Sequence, residues 1–302
     1  MRAGSGSPPA EALVAAETAD RVFVVNLSTG AVTGRITIRG GPEYVDGLLD
    51  LAVASSPGAG TVSVLSGPRW HVTTVIHGFS SPHIVALSPD GDHAFVTDDP
   101  RGTLSVIRLT DDRVTATVPV GAGAHHLAAS PDQRRVWVAL GERAHTIVVV
   151  DTSDIDHPVI IGRFRPGFAA HDLAFSPDGR RVWITSSAGP DVSVFDARSH
   201  RPLFRIRAGT PPQHVAFLGG YAYLTSGYGS TIEQVAAASG AVVRRVHAPY
   251  GSFEVSAAAG HVVTSSLLSG EMAVFTPRLS LVRVRRLAAA TRDVSVVAPL
   301  GR

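Results

Sequence analysis

Three similar segments decide the fold of this chain: Pro-His-Ile-Val-Ala-Leu-Ser-Pro-Asp-Gly at residues 82–91, Ala-His-His-Leu-Ala-Ala-Ser-Pro-Asp-Gln at 124–133 and Ala-His-Asp-Leu-Ala-Phe-Ser-Pro-Asp-Gly at 170–179. Each joins a short apolar run to a Ser-Pro-Asp turn, where proline suits the second turn position and Asp-Gly supplies the permissive backbone that follows. A second run follows each turn, at 94–97, 136–139 and 182–185, and two more complete each unit. Four short strands joined by turns make one blade of a β-propeller.

The same unit recurs along the chain at intervals of 40 to 46 residues. The positions just before each first strand are 43, 83, 125, 171, 213 and 253, which gives six blades. A seventh is divided between the ends, with three strands in residues 11–38 and one in 290–302. Pairing of these ends closes the ring and removes exposed sheet edges.

The sequence therefore predicts an all-β protein, a seven-bladed β-propeller with four antiparallel strands per blade. Its ring is closed by N-terminal strands that pair with a C-terminal strand. We expect one domain over residues 1–302, with residues 1–10 as a disordered or linker segment.

The repeats resemble the YVTN family of β-propeller repeats, which includes YncE-like and surface-layer-like proteins. The likeness lies in Pro-His-x-Val-Ala-x-Ser-Pro-Asp-Gly followed by a Val-Thr strand, and it is strongest between Ser81 and Gly209. The eponymous Tyr-Val-Thr-Asn is not intact, since the nearest match is Phe-Val-Thr-Asp at 95–98. The resemblance implies a fold more than a function, because such propellers serve as enzymes, binding platforms and assembly modules.

Composition excludes several classes of function. The chain has no cysteine, so it has no disulfides, thiolate metal sites or cysteine nucleophile. Its net charge is only +2 and its 27 basic residues, all arginines, form no basic tract, so nucleic acid is not an expected partner. No run of about 18 apolar residues predicts a membrane span. No nucleophile elbow, phosphate loop or dinucleotide fingerprint occurs.

Compartment and partners follow only as expectations. The first residues, Met1 to Pro9, are small and polar and lack the apolar centre of a secretory signal. The chain as written is expected in the cytoplasm, and it is expected to be exported if a signal has been removed. We expect a monomer that takes a small-molecule ligand in its central channel and whose top loops are available to a protein partner.

Candidate site residues come from the first strands, because these line the central channel and residues of equal rank form a ring around the axis. The first predicted ring brings together Glu43, His83, His125 and His171 from four consecutive blades. The next rank is polar too. It contains Tyr44, His126, Asp172, His214, Glu254 and Asp293.

Three imidazoles that converge on an axis form a nitrogen-rich site suited to Zn²⁺, Fe²⁺ or Cu²⁺. We therefore predict His83, His125 and His171 as ligands of a divalent transition metal. Glu43 or Glu254 would be a further ligand, an orienting partner or a catalytic base. The metal would polarise a substrate oxygen or activate water for a hydrolytic, lyase or rearrangement step. The predicted lining of the substrate pocket consists of Tyr44, His126, Asp172, His214 and Asp293.

Two other interpretations stay open. The resemblance implies that Pro-His before the first strand recurs in this family, where the imidazole can cap strand ends or bond neighbouring blades. The chain would then be a non-catalytic binding or assembly module with structural histidines. A third hypothesis is a propeller that binds or delivers metal without turnover. Tyr228 and Tyr250, in predicted loops, are candidates for the mouth of the pocket.

Overall fold

The computed structural model describes residues 9–298, which form 28 β-strands in seven four-stranded sheets. The described part of the chain begins with the strands β1 (Glu11–Ala16), β2 (Arg21–Asn26) and β3 (Val32–Thr37). Blade 1 contains β4 (Tyr44–Leu48), β5 (Leu51–Ser56), β6 (Thr61–Ser66) and β7 (His71–His77). Blade 2 contains β8 (Pro82–Leu87), β9 (His93–Asp98), β10 (Thr103–Arg108) and β11 (Arg113–Pro119). Blade 3 contains β12 (Ala124–Ala129), β13 (Arg135–Leu140), β14 (Ile147–Asp151) and β15 (Val159–Phe164).

The second half of the ring repeats this arrangement. Blade 4 contains β16 (Ala170–Phe175), β17 (Arg181–Ser186), β18 (Asp191–Asp196) and β19 (Pro202–Arg207). Blade 5 contains β20 (Val215–Leu218), β21 (Tyr221–Thr225), β22 (Thr231–Ala236) and β23 (Val242–His247). Blade 6 contains β24 (Ser252–Ala258), β25 (His261–Ser266), β26 (Glu271–Phe275) and β27 (Leu281–Arg286). The last strand is β28 (Asp293–Val297).

The composite blade closes the ring. Its strand order is β28-β1-β2-β3, so the last strand in the chain takes the first position in this sheet. β28 pairs antiparallel with β1, with Val294 opposite Val14. The first strands of all seven blades contact their neighbours in a closed circuit. The predicted fold, with closure by the two ends of the chain, is confirmed. The predicted linker at residues 1–10 and the end of the 290–302 segment fall largely outside the described residues.

The remaining regular structure is slight. Two single-turn 3₁₀ helices lie at Glu17–Ala19 and Pro57–Ala59. Within residues 9–298, no helix is long and apolar enough to cross a membrane.

The Ser-Pro-Asp turns form as the sequence predicts. In blade 2 the Gly91 amide donates to the Ser88 carbonyl at 2.9 Å, which closes a four-residue turn. The Ser88 hydroxyl donates to Asp90 at 2.5 Å and accepts from the His93 amide at 2.9 Å, so one side chain holds both arms of the hairpin. Gly91 has a φ of +78°, and in blade 3 Gln133 occupies the same left-handed position at +61°.

Hydroxyl groups on the second strands tie neighbouring blades together. The Thr97 hydroxyl accepts from the Ile84 amide of its own blade at 3.1 Å and donates to the His125 carbonyl of the next blade at 2.6 Å. Corresponding hydroxyl-to-carbonyl bonds cross three other junctions. These bonds run from Ser55 to His83, from Thr225 to Phe253 and from Ser265 to Arg292. The Val-Thr pattern of the second strand thus fixes the backbone at the axial positions.

Replacing the Thr97 hydroxyl should weaken the ring. Thr97→Val keeps the shape of a fully buried side chain but removes both bonds and leaves a buried carbonyl without that donor. We expect the free energy of unfolding to fall by about 1–3 kcal/mol in urea denaturation. Thr37→Val, on the exposed face of β3, is the matched control and should change it little. Equal stability of the two variants would show that the junction does not depend on this hydroxyl.

Candidate metal centre

β-Bulges place the axial side chains. In β12, Ala124 pairs with Leu140 and Leu127 with Val138, so two residues, 125 and 126, oppose a single residue of β13. The same shift occurs at the start of β8 and of β16. Consecutive side chains of a regular strand point to opposite faces, and a bulge re-aims one of them. His125 and His126 therefore both line the same axial cavity.

Three of the histidines are oriented through Nδ1 by an acceptor on the preceding blade. His83 Nδ1 lies 3.1 Å from Glu43 Oε2 and His125 Nδ1 lies 2.8 Å from Asp99 Oδ2. His171 Nδ1 lies 3.3 Å from the Glu142 carbonyl oxygen. Because these oxygens can only accept hydrogen bonds, Nδ1 of each ring carries a proton. In the neutral form of such a ring, Nε2 keeps a lone pair. Metal-ligating histidines are oriented in this way.

In two of these rings the opposite nitrogen, Nε2, makes no hydrogen bond within residues 9–298. Among the described residues, neither His83 Nε2 nor His171 Nε2 has a hydrogen-bond partner, and both are buried. His126 and His214 are more extreme, since both nitrogens of each ring are buried and unbonded within residues 9–298. His214 Nε2 does lie 3.4 Å from Glu254 Oε2, but this contact does not have the geometry of a hydrogen bond. Such buried polar atoms are costly unless something binds them.

The five histidines form one connected cluster. The rings of His83 and His125 stack with centroids 3.8 Å apart, and His126 lies edge-on to both. The His126 ring centroid is 4.2 Å from that of His171 and 5.8 Å from that of His214. The cluster contains two sets of three histidines, and within each set one nitrogen from each ring lies within 4.8 Å of the other two. The sets are His83, His125 and His126, and His126, His171 and His214.

Burial favours the uncharged form of four of the five rings. It lowers the pKa of His125 to about 4, with the neighbouring His83 adding to the effect. It lowers the pKa of His171 to about 4 as well. The pKa values of His126 and His214 lie well below the usual value, again because of burial and nearby imidazoles. These four rings are neutral at pH 7, which is the form that binds metal.

Arg292 brings a positive charge to the same cavity. Its guanidinium carbon lies 5.6 Å from the centre of the Tyr44 ring and 5.9 Å from that of Phe253. Its closest carboxylate oxygens, on Glu17 and Glu43, are 3.7 and 3.9 Å away. Those distances exceed the 2.7–2.9 Å of a charge-assisted hydrogen bond. In the described part of the chain, buried Arg292 Nε has no hydrogen-bond partner, so the guanidinium retains donor capacity for a ligand.

Glu43 is charged and held by its neighbours. Burial opposes its ionisation, but the hydrogen bond with His83 and the charge of Arg292 outweigh burial and lower its pKa. A carboxylate in this setting orients His83 and is a weak base. Glu254 is the opposite case, since burial and the nearby Asp293 and Asp172 raise its pKa well above the usual value.

Carboxylates farther along the first strands join blades to one another. Asp172 Oδ2 accepts from the Val215 amide at 3.3 Å and Asp293 Oδ2 accepts from the Val45 amide at 2.6 Å. Burial raises the pKa of each to about 7. The hydrogen bonds that they accept from backbone amides give both carboxylates a structural role beyond any contact with a ligand.

The axial cavity is small and polar, with a volume of about 310 Å³. Of the ten residues that the sequence singled out, it is lined by Glu43, Tyr44, His83, His125, His126 and His171. His214 lies behind His126 and His171, in contact with Glu254. Asp293 instead lines a second cavity, which is formed by later residues of the first strands. Tyr228 reaches the axial cavity, whereas Tyr250 is not among its lining residues.

The sequence underrated three features of this site. His126 was assigned to the substrate pocket, but it belongs to both three-nitrogen sets, whereas His83, His125 and His171 together form neither. Arg292, which directly precedes β28 and lines the same cavity, has no role in the sequence prediction. Asp99 is also absent from that prediction, although the Asp98-Asp99 pair at the end of β9 is a signal that the repeats at 140 and 186 lack. The Glu142 contact uses a backbone oxygen, which leaves no mark in the sequence.

Comparison with known proteins agrees with the fold. No family model matches the chain. Over 150 residues, 46% of this chain, it is 27% identical to the seven-bladed beta-propeller protein Rv1057 of Mycobacterium tuberculosis. The match spans 38% of the length of that relative. Together with the seven observed sheets, this likeness supports the seven-bladed propeller and leaves the finer family open.

Solved structures resemble nearly the whole chain. A functionally unknown protein from Desulfotomaculum acetoxidans DSM 771 superposes with a TM-score of 0.84 at 16% identity, covering 96% of this chain and 99% of that one. Hydrazine synthase from Kuenenia stuttgartiensis gives 0.74 at 15% identity, covering 87% and 91%. Apo AztD from Citrobacter koseri gives 0.74 at 11% identity, covering 98% and 100%. At these identities the likeness shows the fold alone.

The buried carboxylates predict a distinctive pH dependence. Asp172 binds its proton more tightly in the folded state than in the unfolded state, where its pKa is near 3.8. Its stabilising contribution is therefore complete below pH 3.8 and is lost as pH rises toward 7. Relative to Asp172→Asn, the wild type should lose at most about 1.4 kcal/mol of unfolding free energy per pH unit across that window.

Chemical denaturation of metal-free protein at a series of pH values measures this difference. Asp92→Asn, at an exposed carboxylate in the turn before β9, is the control and should show no such trend. A difference between the wild type and Asp172→Asn that stays constant from pH 4 to 7 would contradict the raised pKa.

Proposed function

We propose that this chain is a YVTN-type propeller that binds a divalent transition metal among its axial histidines and acts on a small anionic molecule in the cavity. One observation carries the proposal. Imidazoles oriented through Nδ1 leave Nε2 atoms of His83 and His171 buried and unbonded within residues 9–298, beside two further rings in the same state. A bound cation supplies the missing partner.

The donor set fits Zn²⁺, Fe²⁺ or Cu²⁺. The donors in both three-nitrogen sets are imidazole nitrogens, which suit these ions better than Mg²⁺ or Ca²⁺. Carboxylates of Glu43 and Asp99 stand behind two of the rings, the arrangement that raises ligand basicity. Three protein nitrogens leave a coordination position open, as in catalytic sites. A metal bound there would act as a Lewis acid toward a substrate oxygen or water.

The protein groups around the cavity define the remaining chemistry. Arg292 would bind the anionic group of the substrate and orient it toward the histidines. Burial and nearby carboxylates raise the pKa of Glu254 well above its usual value, so it would donate a proton rather than accept one. Glu43, engaged with His83, would orient that ring. A cavity of about 310 Å³ limits the substrate to a small molecule.

The structural interpretation of the histidines has an observation of its own. Each Nδ1 bond crosses a blade junction: blade 1 to blade 2 at His83, blade 2 to blade 3 at His125, and blade 3 to blade 4 at His171. Inter-blade ties of this kind would serve a non-catalytic module equally well. They use one nitrogen of each ring, however, and give no reason to bury His126, which makes no hydrogen bond to another described residue.

Metal content tests the proposal directly. Protein purified without a His tag or chelator should contain near-stoichiometric metal by elemental mass spectrometry. The His126→Ala variant should lose most of it, because it removes the imidazole common to both three-nitrogen sets. Single His83→Ala and His171→Ala variants should each lose the metal of the set to which the residue belongs. His77→Ala, at an exposed position of β7, is the matched control and should retain the metal.

Circular dichroism and thermal unfolding would verify that the variants fold. A folded wild type that takes up no Zn²⁺, Fe²⁺ or Cu²⁺ on reconstitution would overturn the metal proposal. It would leave the histidines as inter-blade ties.

The anionic substrate class has a separate test. Titrating Co²⁺-loaded protein with oxalate should perturb the visible absorption of the metal. In Arg292→Gln the apparent affinity should fall about 10- to 100-fold, because a hydrogen bond to a charged group contributes about 1.5–3 kcal/mol. Arg39→Gln, an exposed arginine after β3, should leave the affinity unchanged. Equal oxalate affinity in all three proteins would remove Arg292 from the proposal without affecting metal binding.

A further inference from the structure

His126 occupies a position that a single metal ion does not account for. It is the one residue common to the two three-nitrogen sets, of which one is completed by His83 and His125 and the other by His171 and His214. Its exposed fraction is 2%, and neither ring nitrogen has a hydrogen-bond partner in the described part of the chain. A ligand that uses one nitrogen would leave the other buried and unbonded.

The distances around His126 suit a metal ion in each of the two three-nitrogen sets. Its ring centroid is 4.8 Å from that of His125 and 4.2 Å from that of His171, so one ring is near both sets. The first set is oriented by carboxylates, through the contacts of His83 with Glu43 and His125 with Asp99. The second is oriented by the Glu142 carbonyl at His171 and by Glu254, 3.4 Å from His214 Nε2. His214 Nδ1 makes no hydrogen bond within residues 9–298.

A single ion would leave part of this cluster unexplained. An ion held by His83, His125 and His126 leaves His171 Nε2 and His214 Nδ1 buried without a partner among residues 9–298. An ion held by the other set leaves His83 Nε2 in that condition. Each unmet group of this kind destabilises the folded chain. Two ions would satisfy both sets at once.

Building on the proposed function, we propose that the axial site is dinuclear, with two divalent transition metal ions bridged by the imidazolate of His126. His83 and His125 complete the coordination of one ion, and His171 and His214 that of the other. As the second ion binds, the remaining N–H proton of His126 leaves to solvent and the nitrogen lone pair forms the new metal–nitrogen bond. With metal–nitrogen bonds of about 2.0 Å on both sides of the ring, the ions would lie about 6 Å apart.

The surrounding charges favour such a pair. Two divalent ions and one imidazolate carry a net charge of +3. The carboxylates of Glu43 and Asp99 contact ligands of the first set, and Glu254 contacts a ligand of the second. The carboxylates of Glu43 and Asp99 offset part of that charge close to the ions, which lowers the cost of burying them.

Reconstitution with Cu²⁺ tests the bridge. Elemental analysis should give two copper ions per chain, and electron paramagnetic resonance should show a signal far below that of two isolated ions, because an imidazolate bridge couples their spins. His214→Ala should reduce the content to one ion and restore the full signal of a single Cu²⁺. His77→Ala should behave as the wild type does.

The outcomes separate this inference from the proposed function. One ion per chain in the wild type would overturn the dinuclear site and leave a mononuclear site intact. Two ions with an uncoupled signal of full intensity would overturn the bridge. No bound copper would overturn both proposals. Because the wild type alone decides among these outcomes, misfolding of His214→Ala would not obscure the test.

Discussion

The pairing of β28 with β1 is the contact on which the rest of the structure depends, because it converts seven separate sheets into a closed ring. Closure leaves the seven first strands side by side around one axis, each in contact with its two neighbours. His83 and His214 are 131 residues apart in the chain, yet the ring brings both into one cluster. Proximity here comes from the symmetry of the fold and not from nearness in sequence.

The same closure determines the electrostatics of the axis. Side chains at the bulges are withdrawn from bulk water by neighbouring blades, which disfavours their charged forms. That single cause lowers the pKa of His125 and His171 and raises those of Asp172 and Asp293. For these four residues burial favours the neutral form, so the axis gathers polar groups with less charge than their number suggests. Arg292 and Glu43 are the exceptions, and each lies within reach of the other's charge.

The fold could be predicted from the sequence because its signals are local and repeated. Ser88, Pro89 and Asp90 specify a hairpin from their own chemistry, and the period carries that hairpin around the ring. The repeat also predicts which residues of each first strand lie at the axis. It does not predict the β-bulge, because the pairing of two residues with one depends on the neighbouring strand. In the sequence alone, His125 and His126 look like residues on opposite faces of a strand. The orientation of His125 by Asp99 depends on how two blades dock, which no local pattern records.

The competing interpretations of the histidines rest on different atoms of the same rings. Inter-blade bonds use Nδ1, and they account for His83, His125 and His171 as parts of the architecture. They say nothing about His126, which forms no hydrogen bond within the described chain although it is the most central ring of the five. A purely structural histidine in that position would be replaced at a gain in stability by an apolar residue of similar size, since an unbonded buried imidazole costs free energy and contributes only packing. The burial of such a ring between two oriented pairs of imidazoles is what a metal centre accounts for and a structural tie does not.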